Sequence, residues 1–99
     1  MRRDDAINRL QNNRDRLTRL GAGRLFLYGS VARDQATAAS DVDLLVDPLD
    51  SDFSIFGLAH LQDACSDILG APAEVHDYDG YLRLLTFKRR VGPDLIRVF

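Results

Sequence analysis

From Ser40 to Asp47 the chain reads Ser-Asp-Val-Asp-Leu-Leu-Val-Asp, and no other stretch constrains the fold as much. A strand turns successive side chains to opposite faces. Val42, Leu44 and Val46 therefore share one face, and Asp41, Asp43 and Leu45 share the other. The first face needs helices packed against it. The second carries two carboxylates roughly 7 Å apart along the strand. Such a pair repels itself and resists burial unless a cation joins it. Aspartate oxygens suit magnesium, which keeps positions open for water and substrate phosphate.

The stretch just upstream complements this strand. Leu25-Phe26-Leu27-Tyr28 is a short, continuously apolar run, as expected of a strand buried on both faces. It ends at Gly29-Ser30. Gly29 permits a sharp turn and close approach of a phosphate. Ser30 offers a hydroxyl at the start of a short helix, where free N–H groups favour an anion, and Arg33 follows one turn on with a charge-assisted donor. No GxxxxGK[ST] sequence is present, so this is not a Walker loop. Either feature alone is commonly just a turn or a solvated strand end; their conjunction about ten residues apart is what carries weight.

The remaining elements follow from periodicity. Ile7, Leu10, Leu17 and Leu20 make one apolar stripe on a helix over residues 4–20, ended by Gly21. The loop 36–40 precedes a strand over 41–46, closed by Asp47-Pro48. Ser54 caps a helix that stops near Gly70, and 73–78 reads as a third strand. Tyr81, Leu82, Leu84, Leu85 and Phe87 suggest another helix ending near Gly92-Pro93. Leu95, Ile96 and Val98 fit either a last strand or a docked tail. The expected fold is α+β (α/β-like): a small mixed sheet with helices mainly on one face, in a single domain spanning 1–99.

Composition narrows the function classes. A formal net charge of −2 argues against broad nucleic-acid binding, which needs a basic face. Seven arginines nonetheless fall within the first 24 residues, a solvated face or a contact surface for an acidic partner. The apolar runs are too short to cross a bilayer, and the Arg-rich start lacks the apolar core of a secretory signal. One cysteine, Cys65, excludes an internal disulfide and reads as core. The expected compartment is the cytoplasm. His60 reads as a surface or boundary residue, and Tyr28 as packed.

The two motifs, GSVAR at 29–33 and SDVDLLV at 40–46, resemble those of the DNA polymerase beta-like nucleotidyltransferase superfamily, specifically its minimal nucleotidyltransferase (MNT) branch. The resemblance spans nearly the whole chain. It implies that Gly29, Ser30 and Arg33 hold the phosphates of ATP and that Asp41 and Asp43 bind two magnesium ions. A third carboxylate on a neighbouring strand normally completes the site. Val75 should point into the core with Val42 and Val46, so Glu74 and His76 face the aspartates whereas Asp77 does not. Glu74 is therefore chosen, although the family position is more often aspartate.

The reaction so implied is transfer of AMP from ATP to a hydroxyl. Ninety-nine residues leave little room for an acceptor-binding domain, so a partner or self-association must supply that surface. MNT proteins often pair with a small helical HEPN toxin and adenylylate a tyrosine on it, which makes the expected role that of an antitoxin. Two alternatives are a non-catalytic module that neutralises its partner by contact, and a small-molecule modifier resembling aminoglycoside nucleotidyltransferases.

Overall fold

In the computed structural model, residues 1–37, 39–50, 52–78 and 95–99 are described. Their elements run α1 (Arg3–Asn12), α2 (Arg14–Arg19), β1 (Ala22–Tyr28), α3 (Gly29–Ala32), β2 (Val42–Pro48), α4 (Ile55–Leu69), β3 (Ala73–Asp77) and β4 (Ile96–Arg97). The helix read around Tyr81–Phe87 lies outside the described residues.

The leading helix is not continuous. Asn13 donates its side-chain amide to the Arg9 carbonyl at 2.8 Å, taking the acceptor that its own N–H would use in an unbroken helix. That N–H turns instead to Leu10 O at 3.1 Å. This local competition splits the element into α1 and α2. The apolar stripe survives the break, because Ala6, Leu10 and Leu17 are all fully buried.

The four strands form a mixed sheet in the order β3-β2-β1-β4. β1 pairs antiparallel with β2 and with β4, while β2 and β3 run parallel. The last segment is thus a strand rather than a docked tail. β1 starts three residues earlier than its apolar run and passes an irregularity between Ala22 and Arg24. β2 reaches Pro48, where the missing N–H ends the ladder. Leu25, Leu27, Val42, Leu44, Val46 and Val75 face a core shared with Leu10, Leu17, Leu61, Cys65 and Leu69 of α1, α2 and α4. Phe26, Tyr28 and Leu45 form a smaller cluster on the other face, joined by Tyr78 and Leu95. The architecture is the expected mixed sheet with helices mainly on one face.

α4 is bounded as its sequence requires. The Ser54 hydroxyl accepts from Gly57 N at 3.2 Å, and Gly70 at φ 65° closes the helix in the left-handed region. Two α4 side chains also shield the outer edge of β3: Ser66 Oγ accepts from Ala73 N at 3.0 Å, and Gln62 Oε1 from Val75 N at 3.1 Å. An open strand edge invites pairing with another chain, and these bonds occupy it. Gln62→Ala is expected to destabilise the fold by about 1 kcal/mol. Urea melts should show a lower midpoint with an unchanged slope.

Candidate active site

The sheet register brings the candidate residues into one row. Tyr28 on β1 lies opposite Asp43 on β2, and Asp43 lies beside Glu74 on β3. Gly29 follows Tyr28 at once and turns the chain out of the sheet at φ 77°. The Asp43 carboxylate rests directly on this glycine: a Cβ at position 29 would run into Asp43 Oδ2. The strand end, the turn and the carboxylate are thus one packed unit.

The electrostatics of Asp43 describe its surroundings. Its pKa is raised, first by burial and then by the charges of Glu74 and Asp41. His76 and Arg33 pull in the opposite direction. Four charged groups on β3 and on the segments flanking α3 and β2 therefore act on Asp43 at this corner. Asp47, two residues beyond Leu45 on the same face, is different. Arg24 Nη2 lies 2.7 Å from its carboxylate, and the same guanidinium sits 5.5 Å and 5.3 Å from the ring centres of Phe26 and Tyr78. Asp47 is charge-compensated, whereas Asp43 sits among like charges. Nothing in the local sequence separates these two aspartates, because only the β1–β2 register brings Arg24 to one of them.

The flanking residues are ordered by short bonds. Arg33 ends α3 and donates Nε to Gln35 Oε1 at 3.3 Å, and Gln35 N donates to Ser30 O at 2.8 Å. Ser40 Oγ accepts from Thr37 N at 3.0 Å, which folds the loop leading to Asp41. His76 Nε2 stands 3.2 Å from Glu74 Oε1 and orients that carboxylate. Sequence parity placed Glu74 and His76 on one face, but not in contact. Cys65 is buried in the core with its thiol pushed up to about 12, so it carries no reactive thiolate. His60 is exposed on α4.

Among the described residues, no three His, Cys, Asp or Glu side chains stand close enough to hold a metal ion as placed. The donor chemistry nevertheless fits a divalent cation. Asp41, Asp43 and Glu74 supply only hard oxygen ligands, and the pKa of Asp43 is raised first by burial and then by Glu74 and Asp41, both of which a bound cation would offset. A cavity of about 580 Å³ lies elsewhere, against Arg16, Arg19 and Leu20 of the α1–α2 segment and the exposed side of α4.

A family model for the nucleotidyltransferase domain matches residues 10–76, a span that contains the whole row from Gly29 to Glu74. The chain belongs to the nucleotidyltransferase domain family. A solved protein assigned as a minimal nucleotidyltransferase is 28% identical, with 89% of this chain and 92% of that one covered at a TM-score of 0.71. That likeness supports the minimal branch. A nucleotidyltransferase from Sulfolobus solfataricus shares the fold at 15% identity, 96% and 80% coverage and a TM-score of 0.54. A toxin–antitoxin crystal structure with AMP-PNP shares it at 20% identity, 68% and 56% coverage and a TM-score of 0.55. No curated protein matches the chain. No helix among the described residues of this nucleotidyltransferase domain is long and apolar enough to cross a membrane.

Proposed function

We propose that this domain is a magnesium-dependent protein adenylyltransferase that moves AMP from ATP to a hydroxyl of a toxin partner, a tyrosine of a HEPN-type protein, and so acts as its antitoxin. The observation that carries this reading is the row Tyr28–Asp43–Glu74 with Gly29 packed against Asp43. It sets the Gly29 turn directly beside a half-buried carboxylate whose pKa is raised. The toxin–antitoxin relative with a bound ATP analogue supports both the nucleotide and the kind of partner. A cytoplasmic location fits this role.

In this mechanism Asp41, Asp43 and Glu74 would hold two magnesium ions, which would supply positive charge against the triphosphate and the charge that develops on it. The Gly29 backbone and the Ser30 hydroxyl hold the β- and γ-phosphates, and the Arg33 guanidinium adds charge-assisted bonds to them. The acceptor oxygen forms a bond to the α-phosphorus as the bond to pyrophosphate breaks. Glu74 receives the proton of the acceptor hydroxyl, and His76, 3.2 Å away, fixes the carboxylate in place. The protein's own contribution is mainly positioning and electrostatic stabilisation.

Intact-mass spectrometry of the co-expressed partner after incubation with magnesium and ATP tests the reading. One or more AMP units should appear, and none with Glu74→Gln. A second reading has one observation in its favour, that the carboxylates are not gathered as they stand. A contact-only antitoxin would leave the partner's mass unchanged and would still neutralise it as Asp43→Ala.

A further inference from the structure

The segment that leaves α3 carries a feature that the carboxylate row does not account for. Asp34 stands at φ 58°, the one left-handed backbone among the described residues that is not glycine. That region crowds a Cβ against the following carbonyl, and such strain persists where the surroundings hold it. Its place in the chain is specific. Asp34 N donates to Val31 O at 3.0 Å, and Gln35 N donates to Ser30 O at 2.8 Å. These are the two bonds of a Schellman closure, with Asp34 at the position where glycine is usual. The turn needs the left-handed backbone, but it does not by itself need a carboxylate.

The carboxylate has a partner of its own. Asp34 Oδ1 accepts from Arg3 N at 3.0 Å, across 31 positions of sequence. Arg3 is the first residue of α1, and Arg2 before it makes no side-chain cap. Asp34 thus caps a ten-residue helix from outside, with a charge-assisted bond at the positive end of its dipole. Underneath, Ala6 of α1 shares one buried cluster with Val31 and Ala32 of α3. The end of α3 is held against α1 from both the core and the surface. Gln35, the next residue of the turn, accepts from Arg33 Nε at 3.3 Å. Contacts therefore run from the start of α1 through Asp34 and Gln35 to the guanidinium of Arg33, whose charge reaches Asp43.

We propose that Asp34 is a positioning residue of the nucleotide site, which by docking the end of α3 on α1 sets Arg33 for the triphosphate. The inference rests on the reading of Arg33 as a phosphate ligand. An arginine on a pinned turn loses less freedom on binding than one on a loose loop. The bond to Arg3 offsets the strain at Asp34, and a glycine there could not make it.

Calorimetric titration with magnesium and AMP-PNP tests this without an acceptor. Arg33→Ala should weaken binding about tenfold, the scale of a lost charge-assisted bond. Asp34→Gly keeps the turn, since glycine favours this backbone, and should weaken binding about fivefold at a nearly unchanged urea midpoint. Arg3→Pro removes the donor instead. Proline suits the first helical position, and Arg2 at ψ 147° accepts a proline after it. The helix should persist while affinity falls about fivefold. Asp34→Asn retains an acceptor and tolerates the left-handed region, so it should bind within about twofold of wild type. In the Arg33→Ala background, Asp34→Gly should have no further effect on affinity. Wild-type affinity in both Asp34→Gly and Arg3→Pro, beside a weakened Arg33→Ala, overturns this inference and leaves the nucleotide reading intact. So does a loss at Asp34→Gly that persists without Arg33. A wild-type chain that binds no AMP-PNP overturns the nucleotide reading and this inference with it.

Discussion

Asp43→Asn is expected to lower nucleotidyl transfer by about a thousandfold, the scale of losing a principal electrostatic group of a reacting centre. The same substitution should make the metal-free protein more stable. Asp43 is held half-buried between Glu74 and Asp41, and its pKa is raised by that burial and those charges. A carboxyl whose folded pKa lies above its unfolded value favours the fold most when protonated. Its contribution is fully present below the unfolded pKa and is lost as pH rises through the folded one. Melting curves in chelator should therefore nearly coincide for wild type and Asp43→Asn in acid. They should separate as pH rises, with the asparagine variant melting a few degrees higher at neutral pH. Adding magnesium and nucleotide should stabilise wild type and leave Asp43→Asn unmoved. Equal melting curves at every pH would show that Asp43 is not strained by its neighbours, and the charge argument for a cation site would fail with it.

Gly29→Ala is expected to impair both stability and transfer. The residue stands at φ 77°, where a side chain costs about 1–2 kcal/mol, and its Cβ would press into the Asp43 carboxylate. The Asp43 carboxylate must also shift to admit the methyl group, so the loss should reach about 2 kcal/mol in chemical denaturation. Transfer activity should fall by about a hundredfold beyond any loss of folded protein, because the turn and the carboxylate move together. Gly23→Ala provides the control. Its Cβ would meet the Asp47 carbonyl at 2.9 Å, so it also strains the sheet, but at the compensated aspartate rather than at the candidate site. A stability loss from both variants with transfer impaired only by Gly29→Ala is the expected pair of results.

The elements that were legible in the sequence share a local cause. Alternation in Val42–Val46 fixed which side chains face the helices, and the buried cluster of Val42, Leu44 and Val46 follows it. Ser54 and Gly70 bound α4 because capping and left-handed backbone are properties of one residue and its near neighbours. Parity on 73–77 was enough to bury Val75 and turn Glu74 to the other face. The break at Asn13 was missed because an apolar stripe runs on across it. The decisive event there is a single side-chain bond to the Arg9 carbonyl.

The amino-acid sequence by itself determined the mixed sheet's apolar and acidic faces, the glycine turn at 29 and the nucleotidyltransferase motifs, since each rests on spacing within a few residues. Tertiary structure alone decided which carboxylates share a neighbourhood. Asp43 and Asp47 have the same parity on β2, yet pairing with β1 places Arg24 against Asp47, and pairing with β3 places Glu74 beside Asp43. Interactions between strands depend on register, and register is set by how the whole core packs rather than by any one segment.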